Sequence, residues 1–86
     1  MDAPKHFVYI LRSDLQPHRY YTGLTADLKS RLAAHNAGRC FHTSTGRPWQ
    51  LVVSIEFADP EYAVAFERYL KSGSGVAFSQ RHFRRP

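Results

Sequence analysis

Five side chains with chemistry to offer fall where a small fold can gather them: Tyr9 and Tyr21 in two neighbouring strand-like runs, Arg31 and His35 four residues apart in a helical stretch, and Glu67 in a second helical stretch. Taken singly, each has an ordinary structural explanation. Strand tyrosines pack with a satisfied hydroxyl, arginines beside an apolar stripe snorkel, and a helical glutamate pairs with a lysine or arginine. Taken together they bring phenol, guanidinium, imidazole and carboxylate into one constellation, and the rest of the chain removes competing chemistries. His6, His18, His35, His42 and His82 show no spacing that places two on one helix face, and Cys40 with His42 is an isolated pair, so a zinc site is not expected. No nucleophile elbow surrounds any serine, and the lone Cys40 lies in a loop without an acyl-transfer signature.

Charge narrows the partner. Lys and Arg number 12 against 7 Asp and Glu, a formal net charge of +5, which suits a polyanion, with nucleic acid first among the candidates. The charge is dispersed, with Arg81, Arg84 and Arg85 the only short cluster, so neither a basic tail nor a membrane-binding amphipathic helix stands out. No apolar run approaches the length of a membrane span, and the opening MDAPKHF lacks the basic-then-hydrophobic order of a signal peptide. A single cysteine excludes an internal disulfide and is at home in a reducing compartment. The expectation is a cytoplasmic protein with no membrane partner. No large apolar surface pattern marks an obligate protein partner.

The elements that must position the five side chains are legible in outline. With 86 residues, 43% hydrophobic and 22% charged, the chain has globular composition and room for one core, so a single domain over residues 1–86 is expected. Residues 7–12, FVYILR, and 20–24 read as two strands of a hairpin with an irregular loop. Alternation puts Phe7, Tyr9 and Leu11 on one face of the first strand and Tyr21 and Gly23 on one face of the second; which faces coincide depends on register. Thr25 or Asp27 can cap a helix over about 26–36, stopped by Asn36, Ala37 and Gly38. Leu28 and Leu32 mark its apolar stripe, and Arg31 and His35 flank it, leaning toward the sheet. Residues 38–49 carry turn residues, hydroxyls, arginines and aromatics without a period and read as a loop. The clearest strand, QLVVSIEF, covers 50–57.

Asp59 and Pro60 open a helix to about residue 71 with Ala63, Phe66 and Leu70 on its buried stripe and Glu67 beside it. The SGSG of residues 72–75 ends that helix, and 76–83 forms a third short one anchored by Val76, Phe78 and Phe83. The order β-β-α-β-α-α describes an α/β fold of the α+β type: a small, mainly antiparallel three-stranded sheet flanked by helices. A parallel doubly wound fold is not expected, because the first connection is too short for a crossover helix and no glycine-rich phosphate loop follows any strand.

On these residues the sequence resembles a family. Phe7-Val8-Tyr9 and Tyr21-Thr22-Gly23 look like degenerate forms of the two motifs that name the GIY-YIG nuclease superfamily, and the likeness extends through Arg31, His35, the Arg47 to Trp49 junction and Glu67. It is similar above all to small, single-domain bacterial GIY-YIG proteins. The resemblance implies a metal-dependent endonuclease that hydrolyses DNA phosphodiester bonds with one divalent cation, Mg2+ or Mn2+, held by Glu67. It assigns Arg31 to the scissile phosphate, Tyr9 to general base or water orientation, Tyr21 to the phosphate or to assisting the base, and His35 to tuning or relaying the proton. Tyr9 then requires Arg31 and the metal to lower its pKa from about 10. With no appended reading domain, cleavage is expected to be structure- or strand-selective, on branched or single-stranded DNA among others. Arg39 and Arg47 are expected to touch the nucleic-acid backbone, with Phe41 and Trp49 either meeting bases or closing the core edge; Lys71 is a further backbone contact. The alternative is a noncatalytic nucleic-acid-binding module on the same face.

Overall fold

The computed structural model describes residues 6–84, so the Arg85 of the terminal basic cluster lies outside the described residues. Three strands, β1 (His6–Ser13), β2 (Tyr20–Thr25) and β3 (Trp49–Phe57), form an antiparallel sheet in the order β2-β1-β3. Helix α1 (Leu28–Asn36) packs on one face, and α2 (Pro60–Leu70) with α3 (Gly73–His82) on the other. The expected fold class is thus what forms. Central β1 is covered on both faces. Val8 and Ile10 meet Ala63 and Leu70 with Phe66, Phe78 and Phe83 around them, while Tyr9 and Leu11 meet Trp49 with Leu28 and Leu32.

Edge strand β3 serves both cores by breaking its own alternation. Val53 pairs with Ile10, but Leu51 pairs with Leu11, so Val52 is an extra residue and a bulge. Before the bulge Trp49 faces the Tyr9 side; after it Val53 and Phe57 face the Val8 side.

Caps set the helix boundaries. Asp27, rather than Thr25, caps α1, its carboxylate accepting from the Ser30 N–H at 3.1 Å and the Ser30 hydroxyl at 2.8 Å. These hydrogen bonds to the charged form lower its pKa. The chain then turns through Gly38 at φ 79°, the left-handed stop that glycine supplies without strain. Asp59 caps α2 ahead of Pro60.

Two segments depart from expectation. Residues 72–75 end α2 and also begin α3. The Ser72 hydroxyl donates to the Tyr69 carbonyl at 2.6 Å and accepts from the Gly75 N–H at 3.2 Å, so one serine closes one helix and caps the next. Residues 38–49 are not wholly loop, because Phe41–Gly46 is a 3-10 helix. Its hydroxyls make the short-range bonds that stabilise such a turn: Thr43 Oγ1 donates to the Cys40 carbonyl at 3.3 Å and Ser44 Oγ to the Phe41 carbonyl at 3.0 Å. Arg19, from the β1–β2 connection, ties the turn down by donating to Thr45 Oγ1 at 2.7 Å and to the His42 carbonyl.

Candidate active site

Register brings the tyrosines together. Tyr9 pairs with Gly23 and Leu11 with Tyr21, so both phenols share the α1 face, with ring centroids 6.3 Å apart. A methyl at Gly23 would overlap the Tyr9 phenol oxygen, so the ring lies across the partner strand only because residue 23 has no side chain. His35, in the last turn of α1, completes an aromatic triangle, 4.9 Å from the Tyr21 ring and 5.8 Å from the Tyr9 ring. Tyr9 and His35 are each only 1% exposed.

A chain of hydrogen bonds runs through the triangle. Tyr9 Oη lies 2.8 Å from His35 Nε2, and His35 Nδ1 lies 2.7 Å from Thr43 Oγ1. Thr43 has one hydroxyl proton; directed at the Cys40 carbonyl, it leaves the oxygen to accept from Nδ1–H, which makes Nε2 the bare acceptor and Tyr9 the donor. Trp49 Nε1 donates to the Thr43 carbonyl at 2.8 Å and holds the threonine in place. Burial first, and then the charge of Arg31, lowers the His35 pKa and keeps the ring neutral.

The same burial overturns one expectation. Arg31 pulls the Tyr9 pKa down, but desolvation, followed by Tyr21, Cys40 and Glu67, pushes it up, and the net direction is upward. The chain alone therefore holds Tyr9 as a protonated donor whose proton is aimed at His35, not as a ready phenolate base.

Arg31 is exposed, one turn before His35, and borders a shallow groove with Thr25, Asp27, Ser30 and Ala34. Glu67 stands on α2, in the layer across the sheet: its charge acts on Tyr9 from a distance, while its side chain, 17% exposed, meets Lys71 Nζ at 2.7 Å. The five sequence candidates are thus within one electrostatic neighbourhood. Lys71, 53% exposed, is held at the carboxylate. Arg39 and Arg47 are exposed at the end of α1, where the Arg47 guanidinium lies over Gly38 and its Nε donates to the Ser44 carbonyl at 2.9 Å. Trp49 is core, whereas Phe41 is 87% exposed and closes nothing.

Thr43 was not singled out by sequence; a hydroxyl-rich turn carries no signal of which hydroxyl meets a distant imidazole. The hard oxygen donor among the five candidates is the Glu67 carboxylate. Glu67 offers one carboxylate, the Lys71 ammonium already stands in for a cation there, and no group of three or more His, Cys, Asp or Glu able to hold a metal occurs among the described residues, so a bound ion would remain largely hydrated.

A strand pair with two phenols on one face, an arginine and histidine one helical turn apart above them, and a glutamate from the next helix define a class. Residues 5–76 match the GIY-YIG catalytic domain, and the chain belongs to the GIY-YIG family, which points to a nuclease-type function. Within that family it is similar to the UPF0213 proteins. It is 37% identical over 71 residues to one from Staphylococcus haemolyticus, covering 81% of this chain and 84% of that one. It is likewise 37% identical over 70 residues to one from Listeria welshimeri, covering 80% and 76%. The solution NMR structure of a UPF0213 protein from Bacillus halodurans matches with a TM-score of 0.55 at 32% identity, over 90% of this chain and 81% of that one.

Proposed function

We propose that the chain, acting as one domain over residues 1–86 in the cytoplasm, is a metal-dependent endonuclease that hydrolyses DNA phosphodiester bonds in a structure- or strand-selective way. The observation that carries this reading is the buried Tyr9–His35–Thr43 relay set beside Arg31 and Glu67. Phosphodiester hydrolysis needs a water activated in line with the leaving oxygen and positive charge on the phosphoryl oxygens. Arg31 holds the phosphate with its fork of donors. The Tyr9 hydroxyl orients the water and passes its own proton to His35 Nε2 as it takes one from the water, so the pair acts as the base although neither group is ionised at rest. Tyr21 borders the imidazole and contributes a phenol to the phosphate. Glu67 would hold Mg2+ or Mn2+, which when bound stabilises the leaving oxyanion. Arg39, Arg47 and Lys71 contact the DNA backbone. In the described residues no helix is long and apolar enough to cross a membrane.

One observation favours the second reading, a noncatalytic nucleic-acid-binding module: Lys71 already neutralises the carboxylate that would otherwise repel phosphate. A nicking assay on single-stranded, duplex and branched DNA with magnesium, manganese or chelator separates the two. Metal-dependent cleavage abolished by Glu67→Gln, with the fold intact, is the expected result. DNA binding without cleavage under every condition favours the module.

A further inference from the structure

A second constellation lies on the other face of the sheet from Tyr9. A cleft of ≈ 420 Å³ is lined by Arg12, Tyr20, Gln50, His82 and Phe83. Its floor is a row across all three strands, since Tyr20 pairs with Arg12 and Arg12 with Gln50, and its wall is the end of α3. The Arg84 guanidinium lies 4.7 Å from the centre of the Tyr20 ring, and its Nε–H is buried without an acceptor. Neither Arg12 nor Arg84 forms an ion pair with a described carboxylate. The Asp14 carboxylate, at this end of the sheet, is engaged by Gln50 Nε2 at 2.9 Å.

Two guanidiniums with no described carboxylate partner, Arg12 in the lining of this aromatic-walled cleft and Arg84 over its Tyr20 ring, make a site that a phosphate satisfies: each guanidinium can fork its oxygens, and the rings offer faces to an adjoining base. We propose that this cleft is a second nucleic-acid subsite, holding a phosphate of a single strand away from the phosphate that is cleaved. The connection between the two sites is β2. It is an edge strand, and its successive residues Tyr20 and Tyr21 point to opposite faces, Tyr20 into the cleft and Tyr21 toward His35. A single strand rounding that edge meets both tyrosines; a duplex, with its long persistence length, cannot follow the turn. The inference rests on nucleic acid being the partner, as in the reading above, and not on cleavage.

The test is anisotropy of a short labelled single strand and of the matching duplex, in chelator, at several salt concentrations. Arg12→Gln should weaken single-strand binding about tenfold, as loss of one charge-assisted contact does, and lower the salt slope by about 0.7. Arg12→Lys should restore the salt slope but only part of the affinity, since it returns the charge without the fork, duplex binding should not change, and the melting temperature of Arg12→Gln should match the parent because residue 12 is exposed. Arg84→Gln should act in the same direction. Unchanged affinity and slope in both Gln variants would overturn the subsite. A nucleoside monophosphate that shifts the His82 resonances while Arg12→Gln binds the strand normally would overturn the strand in favour of a free nucleotide. Failure of the parent to cleave, with the Arg12 dependence intact, would sink the nuclease reading and leave this site standing.

Discussion

At the scale of single residues, the unexpected participant is Thr43, and its role is a matter of proton count. Its hydroxyl receives His35 Nδ1–H only while its own proton is directed at the Cys40 carbonyl, and that arrangement keeps His35 Nε2 open to Tyr9. Thr43→Val keeps the shape and deletes the acceptor, so the tautomer with the proton on Nε2 becomes available and can no longer take a proton from Tyr9. Single-turnover cleavage should fall by about 10- to 100-fold with DNA affinity unchanged, and Thr43→Ser should recover most of the rate. Cleavage by Thr43→Val at the parental rate would remove the threonine from the relay. In the proposed mechanism Thr43 positions His35 and does not itself touch the substrate.

At the scale of elements, the α2–α3 junction makes the sharpest claim. The two helices are joined by Lys71 and Ser72 alone, and α3 can approach the end of α2 only because Gly75 has no side chain: a Cβ there would overlap the Tyr69 carbonyl. Gly73, in the same first turn of α3, has open space around its would-be Cβ. The same substitution should therefore have opposite results two residues apart. Gly75→Ala should destabilise the protein by about 1–3 kcal/mol through backbone displacement, while Gly73→Ala should be neutral or stabilise by up to about 1 kcal/mol through reduced freedom of the unfolded chain. Urea unfolding of the two variants checks this, and equal effects would show that the close approach is not what the first turn depends on. SGSG reads locally as a stop because nothing in four small residues reports the helix that will dock behind them.

At the scale of the whole molecule, the buried site couples protonation to folding. The His35 pKa is lowered in the fold from its ordinary 6.5, so below 6.5 the unfolded chain binds the proton more readily than the folded one. Stability is fully present above 6.5 and declines as pH falls toward the folded value. Tyr9 has the opposite sign: its raised pKa favours the protonated phenol, so stability is full below the ordinary 10.0 and is lost as pH rises beyond it. Thermal unfolding against pH should show a plateau between these limits. The acid limb should flatten in His35→Gln and the alkaline limb in Tyr9→Phe. A parental acid limb in His35→Gln would mean that other groups govern it.

Much of this was written in local sequence. The β-branched and aromatic runs, the Asp59-Pro60 helix start and the left-handed stop at Gly38 depend on a few neighbouring residues, and the order of elements follows from them. The five side chains were visible as types in the right elements, and the Glu67–Lys71 spacing is local too. What only the tertiary structure decided has a common cause, namely contact between residues distant in the chain. The pairing of Tyr9 with Gly23 depends on how two strands slide past each other, and the bulge at Val52 on the need for β3 to feed two cores. The partnership of His35 with Thr43 depends on how a 3-10 turn is pinned by Arg19 and Trp49. The direction of the Tyr9 pKa is the plainest case: sequence supplied the arginine that would lower it, but burial under α1 decides the sign, and burial is a property of the packed molecule.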